Sequence, residues 1–288
     1  MSLLRRIGAL VGAAALVLAA WPTPFAGNGG DPAVVLPSPR ASSPAAPTPG
    51  PSETITPVPT EDLGPPVFAE ECSGPLRPEW RALFGPGDPG FGLDSDFLAS
   101  LRQVSVSGGL CTITAERQTT PSGRLYASAA MGTKDAFAQR YGIFEARIRY
   151  PAGQGLWPAF WLLEQRDAVE TPPEVDIFEA YPGHGRQGGT GPTELTSTLH
   201  YAGGSHHFTH DAGLDLTLEF HVHRLTWSSG LLVFSIDGIE TGRITRDVPD
   251  VAMYPIVNLA VGATGFRVDE TTPEVATMQI DYVRVWAP

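Results

Sequence analysis

The sequence has few cysteines, few basic residues and no long stretch of helical periodicity. Two cysteines occur among 288 residues, which is too few for a zinc cluster. The 19 Lys and Arg residues against 31 Asp and Glu give a net charge of -12, which argues against binding to nucleic acid or to an anionic membrane. Because apolar residues do not recur with a helical period over any long stretch, a largely helical protein is also disfavoured.

Glycine and proline, in contrast, are abundant, with 32 and 28 residues. From residue 67 onward, short segments of alternating apolar residues are separated by Gly, Pro, Asp and Ser, as in a protein of many short strands. Examples are residues 110–115, 143–150, 221–227, 231–236 and 278–286. The Asp237-Gly238 pair that follows one of them predicts a hairpin turn. This pattern predicts an all-β sandwich of two antiparallel sheets.

Composition divides the chain into three parts. Residues 1–26 contain two arginines followed by an apolar run at 7–21, which is typical of a signal peptide; a retained N-terminal anchor is the alternative. Residues 27–66 are rich in Pro, Ser and Thr, and we expect a disordered linker because they have almost no large apolar side chains to bury. Residues 67–288 form the folded domain. The predicted location is therefore extracellular, either secreted or tethered to the cell surface.

Three carboxylates fall within the six residues 174–179, in a Val, Ile and Phe context that is typical of a strand. Alternate residues of a strand share a face, so Glu174 and Asp176 are expected on one side and Glu179 on the other. A β-bulge that takes up Ile177 or Phe178 would bring Glu179 to the side of Glu174.

This bulge predicts a definite spacing of the two glutamates. Their α-carbons would lie roughly 13 Å apart at about 3.3 Å per residue. If the side chains lean together, roughly 5–6 Å separates the carboxylates, which is the spacing of a retaining glycosidase. Because like charges at this distance repel, one acid is expected to stay protonated near neutral pH. An acidic solvent-facing strand and a set of calcium ligands are the alternatives.

Further motifs surround the carboxylates in a fixed order. They are residues 141–149 (YGIFEARIR), 153–163 (GQGLWPAFWLL), 199–201 (LHY), 257–262 (VNLAVG) and 281–286 (DYVRVW). With the E-x-D-x-x-E stretch, they resemble glycoside hydrolase family 16, in its laminarinase-like branch. The resemblance covers roughly residues 67–288. It implies a catalytic domain with the concanavalin-like jelly roll, and a substrate cleft across the concave sheet.

The resemblance also implies roles at matching positions. Glu174 matches the family's nucleophile and Glu179 its general acid/base, and Asp176 between them is expected to hold Glu174 by a hydrogen bond. Trp157 matches an aromatic residue that lines the sugar subsites, and a flat indole suits the C–H face of a pyranose. His200 matches a family histidine near the cleft, with a hydrogen-bonded strand histidine as the alternative.

Further candidate residues lie outside the strand that carries the three carboxylates. Trp161 is either a second substrate-binding aromatic or a core residue. Asp281 matches a position that sometimes contributes to a structural calcium site in the family; no cofactor is otherwise expected. Cys72 and Cys111 are expected to form a disulfide in an exported protein, with two buried thiols as the alternative. The five histidines at 206, 207, 210, 221 and 223 are expected to be solvated on a loop and a strand rather than to bind metal.

Two departures from the family pattern concern the substrate. Ala130 stands where many laminarinase-like members have an arginine, and residues 263–267 (ATGFR) replace a segment with a stacking tryptophan, which Phe266 would substitute. A plain 1,3-β-glucan is therefore not assigned, and mixed-linkage glucans, galactans and bacterial exopolysaccharides stay open. The sequence predicts a monomeric retaining endo-β-glycosidase acting on a β-linked polysaccharide. A transglycosylase and a non-catalytic carbohydrate-binding jelly roll are the alternatives.

Overall fold

The computed structural model of the protein describes residues 63–87, 94–97, 101–165, 172–183, 189–263 and 265–288. The predicted signal peptide or anchor, and the linker up to residue 62, lie outside these ranges. Within them, no helix has the length and the apolar character that crossing a bilayer requires.

The regular structure of the described residues consists of β-strands. In chain order they are β1 (Phe68–Glu70), β2 (Arg81–Ala82), β3 (Ser95–Phe97), β4 (Val104–Ser107), β5 (Leu110–Arg117), β6 (Tyr126–Ser128), β7 (Ala130–Gly132), β8 (Gly142–Arg149), β9 (Leu156–Glu164), β10 (Glu174–Glu179), β11 (Glu194–Tyr201), β12 (Gly204–Asp211), β13 (His221–Ser228), β14 (Leu231–Ile236), β15 (Ile239–Ile244), β16 (Met253–Val261) and β17 (Val275–Trp286).

These strands form two sheets. The ten-stranded sheet has the order β15-β14-β13-β8-β17-β5-β6-β3, with β1 beside β17 and β4 beside β5, and the seven-stranded sheet has the order β12-β11-β10-β9-β16-β7-β2. The described strand pairs are antiparallel except for β3 with β6. The predicted all-β sandwich is therefore confirmed. The predicted hairpin is also present, because Asp237 and Gly238, with φ of 50° and 78°, connect β14 to β15 as a primed turn requires.

The main hydrophobic core lies between the two sheets. It includes Ile113 and Ile148 from the ten-stranded sheet and Phe160, Leu199 and Val257 from the seven-stranded sheet. These residues alternate along their strands with residues that point away from the core, as the pleat requires. The alternation therefore determines which face of β10 is left for polar side chains.

A second, smaller apolar cluster covers part of the other face of the seven-stranded sheet, which we call its outer face. It contains Trp161 of β9 and Ile256 of β16, and Leu83 and Phe97 pack against them. As a result, β16 is buried along its whole length. The outer face is apolar around β9 and β16 and becomes polar from β10 to β12.

A disulfide between Cys72 and Cys111 joins the segment after β1 to β5, with a Cα–Cα distance of 5.2 Å. The two residues are 39 positions apart in the sequence. A crosslink that closes a loop of this length stabilises the fold by about 4 kcal/mol, mainly by restricting the unfolded chain.

Candidate active site

The bulge predicted in β10 is present. In the pairing with β11, Asp176 lies opposite Thr198 and Glu179 lies opposite Thr196. Ile177 and Phe178 together therefore face the single residue Ser197. The pairing of β10 with β9 shifts register at the same place, between Asp176 and Phe178. Because of this extra residue, Glu179 returns to the face of β10 that carries Glu174 and Asp176.

Ser197 supports this bulge from the core side. Its hydroxyl donates a 2.8 Å hydrogen bond to the carbonyl of Ile177, and its side chain is fully buried. A bulge leaves a backbone group without its ladder partner, and a buried group without a partner is costly. The side chains of Ile177 and Phe178 are both buried in the main core. Sequence reasoning missed Ser197, whose only signal is a hydroxyl at an inward-facing position of β11.

The three carboxylates lie between an apolar strand and a polar strand. Residues directly opposite in an antiparallel pair share a face. On β9 the residues opposite Glu174, Asp176 and Glu179 are Leu163, Trp161 and Ala159. On β11 they are His200, Thr198 and Thr196. The acids are therefore shielded from water on one side and bordered by hydrogen-bonding groups on the other.

Glu174 and Asp176 form a hydrogen-bonded pair of buried acids. The Nε2 atom of His200 lies 3.2 Å from Oδ2 of Asp176. Burial raises the pKa of Asp176 to about 8. Burial also raises the pKa of Glu174 well above its ordinary value, and the neighbouring Asp176 adds to this rise. Because two carboxylates in contact cannot both ionise easily, the pair keeps at least one shared proton at neutral pH.

Glu179 has a different environment. Its Oε1 atom accepts hydrogen bonds from Nε1 of Trp157, at 2.9 Å, and from the hydroxyl of Tyr181, at 3.1 Å. Burial raises the pKa of Glu179 to about 8, and the charge of Asp176 acts in the same direction. A carboxyl group with this pKa is protonated at neutral pH, as a general acid must be.

Among the predicted substrate-binding residues, Trp157 and His200 lie beside the carboxylates. Trp157 contacts Glu179 directly, and His200 is 41% exposed at its side chain. Phe266 lies on the same side of the site, where its ring stacks on that of Tyr181 with 4.2 Å between centroids. Tyr181 was not predicted as a site residue, although it is two positions after Glu179 in the sequence.

Trp161 does not have the predicted substrate-binding role. It shares the face of Asp176 but is only 2% exposed, because Phe84 stacks over it with the rings nearly parallel. Its Nε1 atom donates a 2.7 Å hydrogen bond to Oδ1 of Asn258. Trp161 therefore packs beneath the site, in keeping with the core alternative. Asn258, which holds it, lies in the motif at 257–262, and no pattern in the sequence predicts this contact.

In the part of the chain that the structure describes, Asp281 does not join a cluster of three His, Cys, Asp or Glu ligand atoms. Its carboxylate accepts a 2.8 Å hydrogen bond from Arg147. Among the described residues, the clusters with three potential ligand atoms are Glu70 with Cys72 and Cys111, and Glu174 with Asp176 and His200; Asp281 belongs to neither. The first of these contains the disulfide. Calcium binding at Asp281 remains a sequence prediction.

The expectation of solvated histidines is wrong for His221 and His223. Both are buried, and the ring of His223 stacks on Phe178 of the bulge at 4.1 Å. Burial lowers the pKa of His223 to about 3, so it is neutral in the folded protein. His206, His207 and His210 lie on β12 rather than on a loop.

Residues 94–284 match the model of the glycosyl hydrolases family 16. This span contains the bulged strand and its three carboxylates. The chain belongs to glycoside hydrolase family 16. Its relatives place it in the laminarinase-like branch of that family.

The family 16 relatives include enzymes and a binding protein. An endo-1,3-1,4-beta-glycanase of Rhizobium meliloti (strain 1021) is 32% identical over 198 residues, 66% of this chain and 40% of that protein. The laminarinase catalytic domain from Thermotoga maritima MSB8 has a TM-score of 0.69 and 26% identity, and the match covers 78% of this chain and 98% of that one. A beta-1,3-glucan-binding protein of Penaeus monodon is 28% identical over 228 residues, 55% of this chain and 62% of that protein. This family 16 chain spans less than half the length of the Rhizobium glycanase.

Proposed function

We propose that the protein is an endo-acting, retaining β-glycosidase that hydrolyses internal linkages of a β-linked polysaccharide, a β-glucan or a related polymer. The observation that supports this most strongly is the bulge in β10, which places Glu174 and Glu179 on one face in different environments. The endo-glycanase and laminarinase relatives support a polysaccharide substrate.

In the first step, Glu174 attacks the anomeric carbon while Glu179 gives its proton to the departing oxygen. The bond from the anomeric carbon to the leaving oxygen breaks, and an ester bond to Glu174 forms. The proton that Glu174 shares with Asp176 passes to Asp176 as Glu174 attacks. Asp176 then donates a hydrogen bond to the esterified carboxyl group, so no second buried charge appears.

In the second step, Glu179 is a carboxylate and acts as the base. It takes a proton from water, the water oxygen attacks the anomeric carbon, and the ester to Glu174 breaks. The product keeps the β-configuration, Glu179 is again protonated, and the shared proton returns to the Glu174–Asp176 pair. Since every proton in this cycle has a carboxyl group to carry it, we expect no cofactor.

The experiment that tests the proposal combines product analysis with a nucleophile variant. The protein is incubated with 1,3-β-glucan, mixed-linkage β-glucan and galactan, and the initial anomer of the products is recorded by NMR. We expect β-configured oligosaccharides from at least one polymer. Glu174→Ala is expected to lose turnover, and azide is expected to restore part of it as a glycosyl azide of the opposite configuration.

The matched control is Glu240→Ala, which removes a glutamate of β15 on the other sheet, where it is paired with Arg243. It should keep wild-type turnover, and circular dichroism should show both variants folded. Wild-type turnover of Glu174→Ala without azide, or α-configured first products from the wild type, contradicts the assignment.

Two alternative functions would use the same face of β10. In a transglycosylase, a sugar hydroxyl rather than water intercepts the ester, so added acceptor sugar would appear in longer products. A non-catalytic glucan-binding role is favoured by the Penaeus monodon relative. Binding alone does not require three mutually repelling buried acids, which favours the enzyme. Polymer binding without any product supports the binder.

We infer from residues 1–26 that the protein is secreted or tethered at the cell surface. We also propose that it acts as a monomer. N-terminal sequencing of protein recovered from the culture medium distinguishes a cleaved signal peptide from a retained anchor. Sedimentation of the folded domain tests the oligomeric state.

A further inference from the structure

We propose that Tyr181 is a positioning residue for the proton of Glu179. Its hydroxyl and the indole N–H of Trp157 keep Oε1 of Glu179 as an acceptor, so that the proton for the leaving group lies on Oε2. This inference rests on the proposed function, because it assigns a role within the acid/base step.

The hydrogen bonds to Glu179 converge on one oxygen. Both Nε1 of Trp157 and the hydroxyl of Tyr181 lie within hydrogen-bonding distance of Oε1, at 2.9 and 3.1 Å. An indole N–H donates only, and a phenol that is not ionised has one proton to donate. An oxygen that accepts two such bonds has little room for a proton of its own. The acidic proton of Glu179 is therefore directed to Oε2.

The hydroxyl of Tyr181 remains a hydrogen-bond donor throughout the pH range in which the enzyme would work. Burial, together with the neighbouring Glu179, raises the pKa of Tyr181 well above its ordinary value of 10.0. The phenol therefore does not ionise when Glu179 loses its proton. The hydroxyl stabilises the carboxylate form of Glu179, which forms in the catalytic cycle when the leaving group takes the proton.

The ring of Tyr181 is held in place from several directions. It stacks on Phe266, and the ring of Trp157 lies 5.7 Å from it. The carbonyl of Tyr181 accepts hydrogen bonds from the amides of Thr190 and Gly191, at 2.9 and 3.2 Å. A group whose rotamer is fixed by packing and backbone contacts is pre-organised, so little reorganisation is needed during the reaction.

The loop that carries Phe266 is itself held by side chains just before β9 and β3. The side chain of Gln154 donates a 3.0 Å hydrogen bond to the carbonyl of Arg267. The guanidinium of Arg267 is paired with Asp94, a residue that is only 5% exposed. These contacts position Phe266 against Tyr181, and through it they help to orient the hydroxyl toward Glu179.

Several charged groups also act on Glu179, and they must stay unchanged in any test. Asp176 raises the pKa of Glu179 and His200 lowers it. Glu174 and Glu179 interact electrostatically. The charge of Arg267, on the loop that carries Phe266, is neutralised by Asp94. A substitution at Tyr181 should therefore remove only the hydroxyl and leave the ring.

The test is Tyr181→Phe, which keeps the aromatic stack. Loss of a hydrogen bond to a charged acceptor predicts a fall of about tenfold in kcat/KM on the polysaccharide. The alkaline limb of the pH profile should move to higher pH, because the carboxylate form of Glu179 loses a donor. On a 2,4-dinitrophenyl glycoside, whose leaving group needs no proton, kcat/KM should stay at the wild-type value.

The matched control is Tyr282→Phe. The Tyr282 hydroxyl also donates to a carboxylate, Oε1 of Glu145 at 2.8 Å, but on the other sheet. This variant should change neither the pH profile nor the ratio of the two activities. If Tyr181→Phe lowers both activities equally with an unmoved alkaline limb, or changes nothing, the positioning role is wrong.

A direct titration separates this inference from the proposed function. Carbon-13 NMR of the Glu179 carboxyl group gives its pKa in the wild type and in Tyr181→Phe, whether or not the polymer tested is a substrate. We expect a higher pKa in the variant, and an identical pKa overturns the inference. An inactive wild type with a raised pKa in Tyr181→Phe would instead count against the proposed function alone.

Discussion

Carboxylates have opposite environments on the two sheets, on the faces that point away from the main core. On the ten-stranded sheet, Glu145 of β8 is paired with Arg224, which lies directly opposite on β13. Asp281 is paired with Arg147 at 2.8 Å. Glu71 is paired with Arg284, and the hydrogen bonds from this arginine lower the pKa of Glu71.

On the seven-stranded sheet, three acids are adjacent and arginine is not among their ion-pair partners within the described ranges. The imidazole of His200 contacts them there, through Asp176. Burial consequently raises the pKa of all three. The comparison shows that a carboxylate serves structure where an arginine neutralises it, and can carry a proton at neutral pH where burial is not compensated.

The largest effect that distinguishes the two faces is expected from Glu179→Gln. Loss of the proposed general acid should reduce kcat/KM on polysaccharide by about 10²–10⁴-fold. In the wild type, activity should fall as pH rises through about 8, where Glu179 loses its proton. This alkaline limb should disappear in the variant, as measured by pH-dependent kinetics. An unchanged limb would assign it to another group.

A smaller effect, on stability rather than activity, is expected from Arg224→Met on the other sheet. Glu145 is only 4% exposed, so removal of Arg224 leaves a buried charge with fewer partners. We expect a loss of about 3 kcal/mol in the free energy of unfolding, measured in urea. The control is Arg243→Met, which breaks the exposed pair with Glu240 and should change stability by less than about 1 kcal/mol. Equal losses in the two variants would contradict this ranking.

The smallest expected effect is on the pH dependence of protein stability, to which the ionisation of Glu179 contributes. Its folded pKa of about 8 is above an unfolded value of about 4.3, so its contribution to stability is present at low pH and is lost as pH rises between these values. Glu179→Gln has no acid to ionise, so we expect it to recover about 1 kcal/mol of the free energy of unfolding at pH 8. It should therefore melt about 2–4 °C above the wild type at that pH. At pH 4 the two proteins should melt together. A higher melting temperature at both pH values would point to packing instead of ionisation.

Much of the candidate site was predictable because it depends on local rules. The order of Glu174, Asp176 and Glu179 in an apolar strand predicts a bulge, since otherwise Glu179 would point into the core. The Asp237-Gly238 turn was predictable for a similar reason, because few residue pairs adopt two successive positive φ values. Each of these features is encoded within a few consecutive residues.

Other features depend on segments that are distant in sequence. Trp161 is buried by Phe84, and Tyr181 is oriented by Phe266, so neither role is visible in the local pattern. Ser197 supports the bulge only because β11 pairs with β10 in one register. His223 is an alternating strand residue by sequence, and only the packing of the sandwich against Phe178 makes it buried and neutral.

The sequence by itself determined the fold class, the family and the three acids, because the strand period, turn conformations and residue spacing are local properties of the chain. Only the tertiary structure decided which tryptophan contacts Glu179, which tryptophan is buried, and which tyrosine donates to the acid. Those choices depend on contacts across the sandwich and its loops, and burial there determines whether an acid keeps its proton.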